Sequence, residues 1–429
     1  MLVASQNHRV SFLTLGCKVN QYETQQIRDG FLSQGFSEVA FDAASDVVVI
    51  NTCTVTGVSD KKSRQTIRGA MRRNPAARVL VTGCMADTDF ERLEDLVGVG
   101  RVFRHADKDR LVQLFLEEEG FDAEVATPAG VRSFEGRHRV FVKIQDGCDL
   151  KCTYCIIPFV RGASRSRALN EIVTEIRGIH ESGHHEVVLT GIHIGLFGHD
   201  LSPRLELADL VEEILARTEL PRLRISSLDS NEVTPRLIDL LGREPRLCGH
   251  LHLPLQSGCD ATLKRMGRLY RSGDFLDCVE AARAARPDVA ITTDLIVGFP
   301  GEDDTELAQS LETVERARFQ KIHLFPYSVR PGTPAEKLRS RIDPKVIRER
   351  KSRIEEIERR DARRFREEHL GQVVTVLVED RDDRGRWSGL TQNFIKVTFD
   401  GPSGLDNTLA PVRLDQLASD FEVEGQLQA

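Results

Sequence analysis

The 429-residue chain lacks any run of about 18 apolar residues, so its sequence offers no membrane-spanning helix. It also lacks a basic n-region followed by a separate apolar h-region. The opening MLVASQNHRV leads straight into a strand-like stretch. No cleaved signal is expected, and the expected localisation is cytoplasmic, with no membrane partner. The nine cysteines are not an even set, and in a reducing compartment they are not expected to form a disulfide framework. A positive net charge is missing as well. The 59 Lys and Arg face 66 Asp and Glu, which gives −7 and excludes a chain that is basic throughout. A local basic face for nucleic acid is not excluded by that sum. There is no internal repeat and no low-complexity tract. What is present is an ordinary globular balance, 40% hydrophobic and 29% charged. The length suggests about three domains.

Apolar runs at Val10–Leu15, Val47–Ile50 and Val79–Thr82 alternate with amphipathic stretches such as Gln21–Gln34 and Ser59–Arg72. That alternation predicts an N-terminal α/β domain with a parallel sheet. The stretch 118–135 is acidic, then contains Pro and Gly, and reads as a linker ending near Ser133. A second series of strands is expected at Val140–Ile144, Glu186–Thr190, Leu223–Ser226, Leu251–Pro254, Ala290–Val297 and Lys321–Phe325. Helix-like segments separate them, among them Leu169–Ser182, Leu205–Thr218 and Asp274–Ala285. About six βα units fit a partial or complete parallel barrel, and a doubly wound sheet fits as well. Asp343–Glu368 reads as one long charged helix. Beyond it, short runs at Gln372–Val378, Gly389–Thr391 and Asn393–Phe399 predict a small all-β domain.

Six cysteines fall into two groups. Cys148, Cys152 and Cys155 share one short loop after an apolar strand. Three thiolates on one loop can hold three irons of a cubane cluster and leave the fourth iron open to a small molecule. Structural zinc and free thiols are the alternatives. Zinc normally takes four closed ligands, and no fourth Cys or His lies in this loop. Cys17, Cys53 and Cys84 are dispersed, each just past a predicted strand (SFLTLGC, VVVINTC, VLVTGC). In an open parallel sheet those strand ends share one edge, where ligands bind, so the three could converge there. Three buried core cysteines are the alternative. Cys248, Cys259 and Cys278 show no ligand spacing and read as ordinary thiols.

CDLKCTYC resembles the CxxxCxxC signature of radical S-adenosylmethionine (SAM) enzymes, and the whole chain resembles the methylthiotransferases of that superfamily. The resemblance is carried by LGCKVNQYET, VINTCTVT, VTGC, KIQDGCDLKCTYCIIPFVRGASRSR, LTGIHIG, HLPLQSG, DLIVGFPGE and FPYSVRPGTPA. It covers nearly the full length, and the C-terminal part resembles a TRAM domain. GCKVNQYET, NTCTVT and SDKKSRQ are most similar to the branch that modifies N6-threonylcarbamoyladenosine in tRNA. The other branches act on isopentenyladenosine in tRNA or on a ribosomal-protein aspartate. Two positions depart from the branch pattern, Asp149 after Cys148 and Met85-Ala86-Asp87 after Cys84, and neither replaces a ligand. A non-catalytic RNA-binding protein with structural metal is a more distant reading.

The resemblance implies three domains: residues 1–132 with an auxiliary cluster, residues 133–368 as a radical SAM partial TIM-type (β/α) barrel, and residues 369–429 as a TRAM-like barrel. It implies two 4Fe-4S clusters and SAM as cofactors. Cys148, Cys152 and Cys155 would hold the SAM-binding cluster, and Cys17, Cys53 and Cys84 the auxiliary one. A radical made from SAM would remove hydrogen from C2 of adenosine 37, beside the anticodon. The auxiliary cluster would carry the sulfur, and a second SAM the methyl group. Implied partners are tRNA, a sulfur donor, and an electron donor such as a flavodoxin- or ferredoxin-type reductant.

Expected cofactor contacts are Tyr154 on the adenine of SAM, Thr190 and Gly191 at a strand end, and Gln256 and Ser257 after HLPL. Ordinary loop packing is the alternative for Tyr154, and turn formation for Gly191. Lys61, Lys62, Arg64, Arg165, Arg167, Arg384 and Trp387 are candidate RNA contacts, with a plain solvated face as the alternative. Arg161, Arg165 and Arg167 could instead meet a phosphate or the SAM carboxylate. Asp294 and Glu302 either line the barrel mouth or are structural. Residues 336–366 carry 13 Lys and Arg against 7 Asp and Glu, enough for phosphate contacts or for a helix laced with i,i+4 pairs. From Gly371 onward 5 basic residues face 10 acidic ones, so any RNA contact there must be local, through Arg381, Arg384, Arg386, Trp387 and Phe394.

Overall fold

The structure is a computed structural model that describes residues 8–97, 100–121, 130–134 and 136–428. Residues 122–129 and 135 of the expected linker, and the first seven residues, lie outside the described ones. The chain begins with a parallel sheet of β1 (Arg9–Thr14), β2 (Ser37–Glu38), β3 (Val47–Thr52), β4 (Arg78–Gly83) and β5 (Arg101–Val102), in the order β2-β1-β3-β4-β5. β3 is VVVINT and buried throughout, as a strand covered on both faces must be. Its residues alternate between two cores. Val47 and Val49 join Ile27 and Phe31 of helix α1 (Lys18–Ser33). Val48 and Ile50 join Ile67 and Ala70 of helix α2 (Gly57–Arg73). In this parallel sheet the order of strand addition reverses between β1 and β3, and ligands of such sheets sit at that point, beyond the strands' C-terminal ends.

The second unit runs through β6 (Arg139–Lys143), the short antiparallel pair β7 (Gln145–Asp146) and β8 (Arg165–Ser166), then β9 (Glu186–Thr190), β10 (Arg222–Ile225), β11 (His250–His252), β12 (Ala290–Val297) and β13 (Lys321–Pro326). β6, β9 and β10 pair in parallel, as do β11, β12 and β13. Single parallel bridges, Leu223 to Leu247 and Ser227 to His252, join the two halves. The result is an open six-stranded (β/α) barrel, not a doubly wound sheet. One core lies between its strands and its helices, with Val140, Val187, Leu223, Leu251 and Ile291 at its centre.

The long charged helix spans Pro344–Glu367 with Asp343 as its N-cap. It buries Ile354 and Ile357 against the barrel. The last unit is a closed barrel of β14 (Val373–Arg381), β15 (Trp387–Thr391), β16 (Lys396–Asp400), β17 (Leu409–Ser419) and β18 (Glu422–Leu427). Its final two strands were not expected from sequence. This barrel closes one end of the (β/α) barrel. Arg222 donates to the carbonyls of Leu390 (2.9 Å) and Thr375 (2.6 Å), and Arg224 to that of Gln392 (2.8 Å).

Candidate functional site

Cys17, Cys53 and Cys84 follow β1, β3 and β4, which are neighbours in the sheet. Two glycines make their convergence possible. Gly16 has φ +101, and a Cβ there would lie 2.9 Å from Cys53 Sγ. Gly83 has φ +96, and a Cβ there would lie 2.2 Å from the Thr52 carbonyl. Both conformations and both contacts require glycine. Cys53 and Cys84 are buried, whereas Cys17, the N-cap residue of α1, is open to solvent. Burial raises the Cys53 thiol first of all, and repulsion from Cys84 and Cys17 raises it further; the protein around Cys17 and the charge of Cys84 raise that thiol as well. The three sulfurs therefore lie within electrostatic reach of one another.

Cys148, Cys152 and Cys155 occupy the loop between β7 and the helix Ile157–Arg161. Cys148 Sγ lies 3.6 Å from His193 Nδ1 and accepts from the Leu150 amide at 3.4 Å. Cys152 Sγ accepts from Arg268 at 3.4 Å. Burial pushes the Cys155 thiol up to about 12, so a positive partner or a metal is needed to hold it as thiolate. The Thr153 amide donates to the Met266 carbonyl, and the Thr153 carbonyl accepts from the Ala335 amide, both at 2.8 Å, which pins the middle of the loop to the barrel. Gln145 fixes its start. Its Nε2 donates to the Gly147 carbonyl at 2.7 Å, while its Oε1 accepts from the His193 amide at 2.8 Å.

The two cysteine groups are physically joined. Cys84 packs against Ile156 and Val160, immediately after Cys155. Arg161 Nε donates to Cys84 Sγ at 3.4 Å. Its other nitrogens reach Glu23 (2.9 Å), Asp146 (2.9 Å) and Asn20 (2.7 Å). Glu23 also accepts from Lys108 (2.6 Å) and Lys143 (3.2 Å). Burial alone would raise the Glu23 carboxyl, but Lys108, Arg161 and Lys143 hold it well below the usual range. Two carboxylates thus face three cations, and the uncompensated charge abuts Cys84. Arg330, after β13, reaches Thr54 (2.9 Å) and Asp60 (2.7 Å) just beyond Cys53. Both trios fit open-site cubanes: three free thiols each, N–H donors aimed at sulfur, and a positive surplus beside one of them.

The expected cofactor contacts have protein neighbours of their own. Tyr154 packs edge-on to Phe299, with ring centroids 6.2 Å apart. The space beside Gly191 is taken by Gln145 and Ile194. Thr190 is buried, and its carbonyl accepts from the Ile144 amide. Ser257 lies 3.3 Å from the Ser310 hydroxyl, and Gln256 holds φ +60 in a bridge to Leu295. Glu302 is structural, accepting from the Gly298 and Phe299 amides. Arg161 is neither a surface residue nor a phosphate ligand, because it is buried in the network above. Arg167 is engaged with Glu175 (2.7 Å) and the Tyr22 hydroxyl (3.0 Å).

Trp387 is no stacking platform. It is buried in the C-terminal barrel, with its indole N–H on the Pro402 carbonyl. Phe394 packs under Arg224 and His250. Lys61, Lys62, Arg165 and Arg384 are exposed, and Arg64 pairs with Asp89 at 3.4 Å. The long helix shows i,i+4 pairs at Lys351–Glu355, Arg363–Glu367 and Arg364–Glu368. His193, Arg268 and Gln145 were missed from sequence, although His193 stands in LTGIHIG just past a barrel strand, where functional groups gather.

The Radical SAM superfamily matches residues 142–314, and Uncharacterized protein family UPF0004 matches residues 9–103. The chain is 36% identical to the threonylcarbamoyladenosine tRNA methylthiotransferase MtaB of Bacillus subtilis, covering 94% of this chain and 93% of the relative. It is 38% identical to the MtaB of Chlamydia pneumoniae, covering 97% and 98%. It is 34% identical to the tRNA-2-methylthio-N(6)-dimethylallyladenosine synthase of Geobacter metallireducens, covering 94% of each. Among solved structures, the radical S-adenosylmethionine methyltransferase TsrM of Kitasatospora setae superposes with a TM-score of 0.56 at 15% identity, covering 77% of each chain, which is a likeness of fold.

Proposed function

The chain belongs to the radical SAM methylthiotransferase family, and from that membership we propose that it methylthiolates C2 of N6-threonylcarbamoyladenosine at adenosine 37 of tRNA. Its cofactors are two 4Fe-4S clusters and SAM, which when bound supply the C–H activation, the sulfur and the methyl group. We assign Cys148, Cys152 and Cys155 to the SAM-binding cluster and Cys17, Cys53 and Cys84 to the auxiliary one. The observation that carries this reading is Arg161, which ties the loop of one trio to a sulfur of the other. Sulfur insertion at an activated carbon requires both centres within reach of one base, and this junction holds them together.

The chain's own residues have defined tasks. Arg161 neutralises the Cys84 thiolate, and Arg268 does the same for Cys152. His193 lies between Cys148 and Glu232 and orients the loop. Burial alone would lower this imidazole, but its partners Cys148 and Glu232 raise it to about 10. Arg330 holds the segment after Cys53. Lys61, Lys62, Arg165 and Arg384 supply phosphate contacts to tRNA. No helix among the described residues is long and apolar enough to cross a membrane, and we propose a cytoplasmic enzyme that takes electrons from a flavodoxin- or ferredoxin-type reductant and sulfur from a separate donor. Nucleoside mass spectrometry of tRNA from a deletion strain tests the substrate, where loss of the methylthio group from a different adenosine refutes it. Anaerobic reconstitution tests the clusters, which require about eight irons per chain. Cys148→Ala should abolish SAM cleavage, while Cys53→Ala should spare cleavage and block methylthiolation.

A further inference from the structure

Inside the (β/α) barrel, three adjacent strands each turn one polar side chain to the same place. His252 of β11 lies 3.4 Å from Asp294 of β12, and Asp294 is in register with His323 of β13. The His252 and His323 rings are 5.7 Å apart. Thr292 Oγ1 sits 2.9 Å from His252 Nδ1, which fixes the ring so that Nε2 faces Asp294. On β12, Ile291, Leu295 and Val297 pack with the outer helices. By the alternation of a strand, Thr292, Asp294 and Ile296 face the lumen. Ile296 and Tyr154 of the cysteine loop pack against the same cluster of Met266, Phe299 and Ala335. Asp294 is two residues deeper, roughly 7 Å further from that loop. Below it the lumen is closed by His250 and Phe394, whose rings are 4.7 Å apart. These side chains thus line the lumen between the cysteine loop and the His250–Phe394 end.

We propose that His252, Asp294 and His323 form the subsite that reads the N6 substituent of the target adenosine, accepting a polar threonylcarbamoyl group and refusing an apolar dimethylallyl one. This rests on the substrate reading above. The threonylcarbamoyl group carries urea N–H donors, a carbonyl, a hydroxyl and a carboxylate. Asp294 accepts from the N–H and O–H groups, and the histidines face the carbonyl and the carboxylate. A dimethylallyl group offers nothing to these side chains and would strip water from them without replacement. Sites built to pair with a substrate's polar groups refuse analogues that lack them by about 10⁴- to 10⁵-fold.

The test uses full-length, anaerobically reconstituted enzyme and three anticodon stem-loop RNAs. Their adenosine bears N6-threonylcarbamoyl, its methyl ester, or N6-dimethylallyl. The wild type should prefer the free acid over dimethylallyl by at least about 10³-fold in kcat/KM, within the range such sites reach. His323→Leu and Asp294→Asn should each reduce that ratio at least about tenfold, mainly through KM for the free acid. His323→Leu should also narrow the preference for the acid over its ester. Iron content and melting temperature identify any variant that misfolds. Variants that slow all three RNAs in equal proportion overturn the subsite. One zinc or manganese ion per chain, held by the wild type and lost in His252→Ala, also overturns it, because the three ligand atoms lie within 4.8 Å of one another. A wild type that prefers the dimethylallyl RNA refutes the substrate reading itself, whereas an acid-preferring wild type whose variants keep that preference refutes only the subsite.

Discussion

Replacing Arg161 by Met should damage the auxiliary cluster more than the fold. Arg161 bonds Cys84, Glu23, Asp146 and Asn20 at once and is almost fully buried. Removing one partner of a buried charge network typically costs about 3–5 kcal/mol. Here Lys108 and Lys143 remain to pair Glu23 and Asp146, so the three-to-two excess of cations becomes two against two. The carboxylates stay matched, and the stability loss should fall near the lower end, about 3 kcal/mol. At about 1.4 kcal/mol per decade, that raises opening of the junction roughly a hundredfold. The Cys84 thiolate has no such reserve and loses its counter-charge outright. Iron content should then fall from about eight toward about four, with the iron of the Cys148 loop retained. Hydrogen exchange should quicken in α1 and in 157–161. Arg161→Lys keeps the charge without the planar fork and should fall between the two. Wild-type iron, methylthiolation and exchange in Arg161→Met would refute the coupling.

Gly83→Ala meets the Thr52 carbonyl and a left-handed φ together, so it should displace Cys84 and halve the iron content; unchanged iron would remove Cys84 from the ligand set. Asp29 is held up at about 6 by burial, despite the lowering effect of Gln25 and Arg28. Its folded-state value is raised, so its stabilising contribution is complete below about pH 4 and lost as pH rises through 6. Asp29→Asn should therefore raise the melting temperature at pH 7.5 and leave it unchanged at pH 4, as calorimetry can measure. Deleting residues 371–429 should destabilise the whole enzyme as well as weaken tRNA binding, because Arg222 and Arg224 lose their carbonyl partners. Arg384→Glu leaves the fold intact and is the cleaner probe, with tRNA affinity and its salt dependence as readouts.

The strands most legible in the sequence were those rich in apolar and β-branched residues. Ala290–Val297 and Glu186–Thr190 were anticipated to the residue, and β3 within two. The short edge strands β2 and β5 have two residues each and no period to detect. β17 and β18 carry polar residues on their open faces, so their alternation was diluted. The cysteines could be grouped because strand ends are visible locally. The partners of Arg161, Arg167 and Trp387 could not, because each lies across an interface. A basic residue after a cysteine loop looks the same whether its partner is solvent, phosphate or Glu23, which is 138 residues away. His252, Asp294 and His323 are likewise ordinary strand residues until three strands are set side by side.

The sheet and the barrel obey one rule, that ligands collect beyond the C-terminal ends of parallel strands. Applied separately, it gives each unit a site but does not bring the two together. The contacts that do so are polar and specific: Arg161 with Glu23 and Cys84, Arg330 with Asp60, and Tyr22 with Glu175 at 2.9 Å. An apolar interface could slide by an ångström at little cost, whereas buried forked ion pairs lose most of their energy on such a shift. For a reaction in which sulfur and activated carbon must meet within bonding range, that sensitivity is useful. It follows that substitutions at Tyr22 or Arg330, neither of which bonds a sulfur, should uncouple the two halves of the reaction. 5′-Deoxyadenosine would be released in excess over methylthiolated nucleoside. A ratio that stays at the wild-type value in Arg330→Met would mean that the junction holds the units together without setting their register.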